Sequence, residues 1–312
     1  MKILVTSDFH GNPHHAEAAL LAAERTRPDV FVYAGDLSPV RHDFPTPEAQ
    51  HQQVEQGVFR AFSAMAVPHT FVMPGNTDFA TNCRRWAAST EHGFAFVQDQ
   101  SVRLGGLNLV FLSTVPETNH CLKDCEALET VPHLHDVSYV FSGRSADPTK
   151  TASDGLTYGP DFEIYDSYAQ VPQSHRARFE HTIRARLDAL SDPTVPQLLF
   201  SHAPPQNVCA DTVLNRQKQP KHIGSADIAA FLRATPSVQA CFSGHVHQSV
   251  LVTGRFEDAL GPTQVLSTGN SGIDFCMMER AWFLLYDTET RECERFGLDV
   301  PAFPHGLNRV FV

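Results

Sequence analysis

The sequence is short of positive charge. Lysine and arginine number 24 against 35 aspartates and glutamates, a net charge of −11 over 312 residues with histidine neutral. That excludes a general basic surface for nucleic acid, which is not the expected partner. Cysteine is sparse as well. The seven residues (Cys83, Cys121, Cys125, Cys209, Cys241, Cys276 and Cys293) are odd in number and widely spaced. They make no disulfide framework, and reduced thiols are expected. No apolar run approaches the length of a membrane span, so no membrane partner is expected. The opening residues MKILVTSD hold one lysine and a short apolar run. That is too short for the apolar region of a secretion signal, and the expected location is cytoplasmic. Repeats, low-complexity tracts and linkers are missing too, so one domain over 1–312 is expected.

Histidine is abundant, with 17 residues, and it is the commonest metal ligand. The informative stretch is DVFVYAGDL, Asp29–Leu37. Val30, Phe31, Val32 and Tyr33 read as a strand buried on both faces, and Asp36 follows its end at once. Open α/β sheets place their ligands just past the carboxyl ends of such strands.

Other strand ends carry similar groups. Ile3–Val5 runs into Asp8 and His10, Phe71–Met73 into Asn76, Leu198–Phe200 into His202, and Val238–Phe242 into His245 and His247. Alternate strand residues face the same way, so Asp8 with His10, and His245 with His247, could each point to one site. Gly35, Gly75 and Gly244 sit beside these residues and allow close backbone approach. Mixed carboxylate, imidazole and amide donors suit manganese, iron or zinc at a catalytic centre, whereas a structural zinc favours cysteine.

Helices are expected near His15–Arg25, from Pro45 and Pro47 through Val54, Val58, Phe62 and Met65, near Asn82–Glu91, and through Phe179, Ile183, Leu187 and Leu190. Another, capped by Ser225, carries Ile228, Phe231 and Leu232. Gly105-Gly106 between Ser101–Leu104 and Leu107–Leu112 signals a hairpin. The chain from Ser249 to Gly297 reads as further hairpins. Residues 114–173 are irregular and are expected as an insertion near the active site.

The ordered set D-x-H, G-D, G-N, an isolated H and G-H-x-H, from Asp8 to His247, resembles the calcineurin-like metallophosphoesterase superfamily. The resemblance implies an α/β fold, a four-layer α/β/β/α sandwich of two mixed sheets. It implies a phosphoric ester hydrolase with two divalent metal ions, manganese first and iron or zinc as alternatives. Position by position, it puts Asp8, His10, Asp36 and His247 on one ion, and Asp36, Asn76, His202 and His245 on the other. Asp36, Asn76, Asp78 and His202 are the expected catalytic residues. The expected reaction is hydrolysis of phosphomonoesters or phosphodiesters, in small or nucleotide-like substrates, by a hydroxide shared between the ions. The rival expectations are a nuclease of the same superfamily and a non-catalytic interaction scaffold on this fold.

One position departs from the pattern. Where many members have G-N-H-[DE], this chain has Asn76-Thr77-Asp78. A threonine hydroxyl does not titrate near neutral pH. Either Asp78, His14, His120 or a residue of the long insertion serves proton transfer, or the leaving group departs without a proton. Several groups outside the set have plainer readings. His120, Cys121, Cys125, His133 and His135 match no zinc-finger spacing. Arg144 and Lys150 are expected as solvated loop residues, and Arg176, Arg178, Arg184 and Arg186 as the wet face of a helix. Cys276-Met277-Met278 is expected to pack in the core.

Overall fold

The computed structural model describes residues 1–39, 46–142, 162–270 and 279–301. Two six-stranded sheets form its centre. In the first, Lys2–Thr6, Val30–Ala34, His69–Met73 and Ala95–Phe96 run parallel. Arg280–Asp287 joins Lys2–Thr6 antiparallel, and Cys293–Asp299 closes that edge. In the second sheet Leu107–Leu112, Gln197–Ser201, Val238–Ser243 and Thr263–Ser267 run parallel. Gln100–Leu104 and Glu257–Leu260 are its antiparallel edges. Gly105 and Gly106 make the expected hairpin turn, both with positive φ.

Alternation along the strands builds the layers. Ile3, Val5, Val30 and Val32 of the first sheet meet Leu109, Phe111, Leu198, Phe200 and Phe242 of the second in one apolar layer. Phe111, Phe200 and Phe242 stack across neighbouring strands with centroids 5.3 and 5.0 Å apart, within the range where such pairs attract. The opposite faces pack against helices. Leu4, Phe31 and Val72 meet the helix Pro13–Thr26 and the helical run Pro47–Ser63. Val110, Leu199 and Cys241 meet the helices Ile183–Leu190 and Ala226–Ala234. The result is the expected sandwich of two mixed sheets between helices.

Several local expectations need correction. The helical run from Pro47 is not one regular α-helix, since it contains a wide π turn over Glu55–Phe59, but Val54, Val58, Phe62 and Met65 do pack against one core cluster. The expected helix from Phe179 to Leu190 is two helices, Gln173–Phe179 and Ile183–Leu190; Thr182 caps the second by accepting from the Ala185 N–H. Ser249–Thr253 is helical rather than part of a hairpin. Residues 114–142 and 162–173 are less irregular than expected. They hold a short parallel pair, Val115–Pro116 with Glu126–Ala127, and an antiparallel pair, Tyr139–Ser142 with Phe162–Tyr165. Arg144, Lys150 and Cys276-Met277-Met278 lie outside the described residues. The arginine row is not simply wet. Arg186 pairs with Asp99 over 2.7 Å, and Arg176 donates to the carbonyls of Tyr168, Ala169 and Val171. Among the described residues no helix is long and apolar enough to cross a membrane.

Candidate metal centre

Both sheets direct the carboxyl ends of their parallel strands to one edge, and the loops leaving those ends meet there. Strand alternation does not aim the side chains. Lys2–Thr6 and Val238–Ser243 end before the residues of interest. Asp8, His10, Asp36 and His245 instead adopt left-handed backbone, with φ between 48° and 64°. Non-glycine residues rarely take that conformation, and it persists where surrounding contacts hold it, typically at functional sites.

Two donor groups result. Asp8, His10, Asp36 and His247 form one; Asp36, His202 and His245 form the other; within each group the ligand atoms lie within 4.8 Å of one another. Asp36 belongs to both. Its Oδ2 is 3.7 Å from His10 Nε2 and 3.2 Å from His202 Nε2. His10 Nε2 faces His247 Nε2 at 3.0 Å, and His247 Nε2 is 3.3 Å from Asp8 Oδ1. Asn76 Oδ1 joins the second group, 3.2 Å from His202 Nε2. His245 and His247 fall in different groups, the division that the family resemblance implies.

The backbone sets the histidine tautomers. His10 Nδ1 donates to the Ser38 carbonyl over 3.1 Å, and His202 Nδ1 to the Ala34 carbonyl over 2.9 Å. Each contact turns Nε2 inward, toward the other donors. Glycine is required beside these rings. A Cβ on Gly35 would strike His202, one on Gly75 would strike Asp36 and His202, and one on Gly244 would strike Asp8 and Ser7.

The protonation states suit a divalent cation. Burial drives His10 down to about 4 and, with the neighbouring His202 charge, His245 down to about 3, so both are neutral. Burial alone would raise Asp8 and Asp36. Their histidine neighbours, His247 for Asp8 and His202 for Asp36, outweigh it and leave both carboxylates ionised. Neutral imidazole and ionised carboxylate are the ligand forms a metal needs. His202 differs: burial opposes its charge, but the Asp36 carboxylate prevails and lifts it to about 9. The proton held there occupies the position that a cation would fill. The donors present thus fit a metal on either side of Asp36.

Residues outside the sequence motifs hold this arrangement. The Tyr33 hydroxyl accepts from the Phe9 N–H and donates to the Asp36 carbonyl, both over 2.7 Å. Ser7 Oγ contacts Asp8 Oδ2 and Thr268 Oγ1, the latter at 2.7 Å. Asn270 bonds both Thr6 Oγ1 and the Trp282 backbone. Nothing in the spacing of Tyr33, Thr268 or Asn270 marks them as partners of the ligand loops; Tyr33 reads only as strand core.

Asp78 is wholly buried, and burial with the Asp36 charge raises it to about 6. Its oxygens accept from the N–H groups of Leu37, Ser38 and Gly75 and from Ser38 Oγ. Those contacts tie the Asp36 loop to the Asn76 loop. Thr77 also turns inward, donating from N and Oγ1 to Asp36 Oδ1 over 3.0 and 2.9 Å. His120 is driven down to about 4 by burial, against the pull of Asp36. His14 lies 3.4 Å from Glu17 on the first helix. His133 and His135 join no metal-type cluster among the described residues, and neither do Cys121 and Cys125.

A family profile for calcineurin-like phosphoesterases matches residues 1–249. No curated protein matches the chain. Among solved structures, a Thermus thermophilus protein is similar at 15% identity and a TM-score of 0.50, over 95% of this chain and 97% of that one. A dimetal phosphatase from Danio rerio is similar at 11% identity and a TM-score of 0.47, over 96% and 99%. A structure described as a novel archaeal phosphodiesterase has 11% identity and a TM-score of 0.45, over 96% and 100%. At 15% identity, the likeness to the Thermus thermophilus protein shows the fold alone.

Proposed function

This chain belongs to the calcineurin-like phosphoesterase family, and we propose that it hydrolyses phosphomonoesters or phosphodiesters of small or nucleotide-like substrates with two divalent cations. The observation that carries this reading is the double membership of Asp36, whose Oδ2 stands between His10 and His202. Asp8, His10, Asp36 and His247 would hold one cation, and Asp36, Asn76, His202 and His245 the other. Manganese, iron and zinc all suit these donors. Bound there, divalent cations lower the pKa of water and offset charge on phosphoryl oxygens.

The protein's own part is orientation. Backbone carbonyls aim His10 and His202, Thr77 holds one Asp36 oxygen so that the other faces both groups, and Asp78 joins the loops. Thr77 stands where a titratable group could have been, and burial keeps His120 neutral near pH 7. Both features favour leaving groups that depart without a proton, such as those of diesters and activated esters. The pH dependence of kcat should then show no acid-group limb on the alkaline side. Residues 1–312 act in this reading as one catalytic domain, with about 114–173 selecting substrate.

Chelator-stripped protein should be inactive, and reloading with manganese should restore two ions per chain and turnover of bis(p-nitrophenyl) phosphate. Asp36→Asn should reduce cation content on both sides and lower kcat by more than about 100-fold, since supporting contacts alone cost 10- to 100-fold. A chain that takes up no metal and turns over no ester would instead be the interaction scaffold.

A further inference from the structure

The hairpin of Thr212–Leu214 and Pro220–His222 reverses the charge of its surroundings. It carries Arg216, Lys218 and Lys221, with no acidic residue from Thr212 to Ala226, in a chain of net charge −11. All three side chains are exposed. Among the described residues, no ion pair uses any of the three.

The hairpin is a built element rather than a loose loop. Asn215 Oδ1 accepts from the N–H groups of Gln217 and Gln219, both over 2.9 Å, and the Lys218 N–H returns to the Asn215 carbonyl over 2.8 Å. Such an Asx-type turn sets the backbone path that carries Arg216 and Lys218. At its base, buried Asp211 accepts from the N–H groups of Asn207, Val208 and Gly224 and pairs with His222.

Its attachments join it to the candidate centre. The Ser225 N–H donates to the Pro204 carbonyl over 2.9 Å, two residues past His202. On the other side the Leu214 N–H donates to Gln248 Oε1 over 3.3 Å, one residue past His247. The centre is open on this side: His245 is only partly buried and His247 is 9% exposed, with Asn76 at 7% and Thr77 at 9% on the facing loop, whereas Asp8, His10, Asp36 and His202 are at most 2% exposed. Arg216 follows Leu214 by two residues, in the turn that Asn215 closes.

We propose that this hairpin binds a second phosphate group of the substrate, selecting small nucleotide-like esters that carry a phosphate besides the one cleaved. The selection rests on the phosphoesterase reading. Three exposed cations on one hydrogen-bonded turn supply positive charge for a phosphate in a chain whose net charge is −11. Arg216 adds the planar fork that matches phosphate oxygens in pairs.

Two substrates that differ by one phosphate provide the test: thymidine 5′-(p-nitrophenyl phosphate) with and without a 3′-phosphate. In the manganese-loaded chain the 3′-phosphate should lower KM about tenfold, the combined effect of a few exposed charge pairs. In the triple variant R216Q/K218Q/K221Q, confirmed folded by its melting curve, the ratio of the two KM values should approach one. An unchanged ratio in the variant, or no effect of the 3′-phosphate in the native chain, overturns the proposal. Calorimetric titration with thymidine 3′,5′-bisphosphate provides a readout independent of turnover, with weaker binding expected in the variant. If none of the esters is hydrolysed yet this difference in binding persists, the phosphoesterase reading fails and the hairpin site stands. If only a single-stranded oligonucleotide, or only an acidic peptide, distinguishes the two chains, the occupant is not a small substrate and the proposal fails.

Discussion

Thr77 gives Asp36 Oδ1 two donors, its N–H and its hydroxyl, and so leaves Oδ2 as the oxygen common to both donor groups. Thr77→Val keeps the shape and removes the hydroxyl. A hydrogen bond to a charged group is worth about 1.5–3 kcal/mol, so kcat should fall about tenfold or more with KM little changed. Thr77→Ser should restore it. Unequal loss of the two cations on elemental analysis would show the role to be positioning rather than general stability. Tyr33 acts one step further out. Tyr33→Phe strands the buried Phe9 N–H, while the Asp36 carbonyl keeps the His10 N–H as a donor, which should cost about 1–3 kcal/mol in denaturant unfolding.

Among the elements, the segment from Val115 to Ala127 depends on a buried pair. Lys123 Nζ lies 2.7 Å from Glu126 Oε2 and donates to the Thr118 carbonyl, also over 2.7 Å. Glu126 accepts in turn from the Thr118 N–H and hydroxyl. Both charged side chains are wholly inaccessible to solvent. Lys123→Met would leave a carboxylate buried without its partner, a loss on the order of 3–5 kcal/mol, measurable as a lower denaturation midpoint. A loss below about 1 kcal/mol would mean that the segment is held by its apolar contacts instead. The same logic accounts for Cys125. It lies buried with its Sγ 3.6 Å from the Asp78 carbonyl, so it lines the back of the Asn76–Asp78 loop rather than a zinc site.

Across the whole molecule, the donor groups draw on loops from both sheets: Asp8, His10, Asp36 and Asn76 follow strands of one, His202, His245 and His247 strands of the other. A cation bound between them would tie the two halves of the sandwich together. Ligands that bind only the folded state stabilise it by mass action. Chelator treatment should therefore lower the melting temperature by about 5 °C or more, with recovery on adding manganese. A melting temperature indifferent to chelator would separate the cluster from metal altogether.

The sequence by itself determined where the strands end and which polar residues come directly after them. Short apolar runs such as Val30–Tyr33 and Leu198–Phe200 are legible because burial on both faces demands unbroken hydrophobicity, and the donors just past them stand out against it. Helix starts were legible where a cap marks them, as at Ser225. Only the tertiary structure decided how these ends combine. Left-handed turns at Asp8, His10, Asp36 and His245, not strand alternation, aim the side chains, and no local pattern announces a backbone conformation that distant contacts enforce. The inward turn of Thr77 and the hydroxyl bridge of Tyr33 share one cause. Each depends on which neighbour comes within hydrogen-bond reach once two sheets pack face to face, and sequence distance carries no record of that.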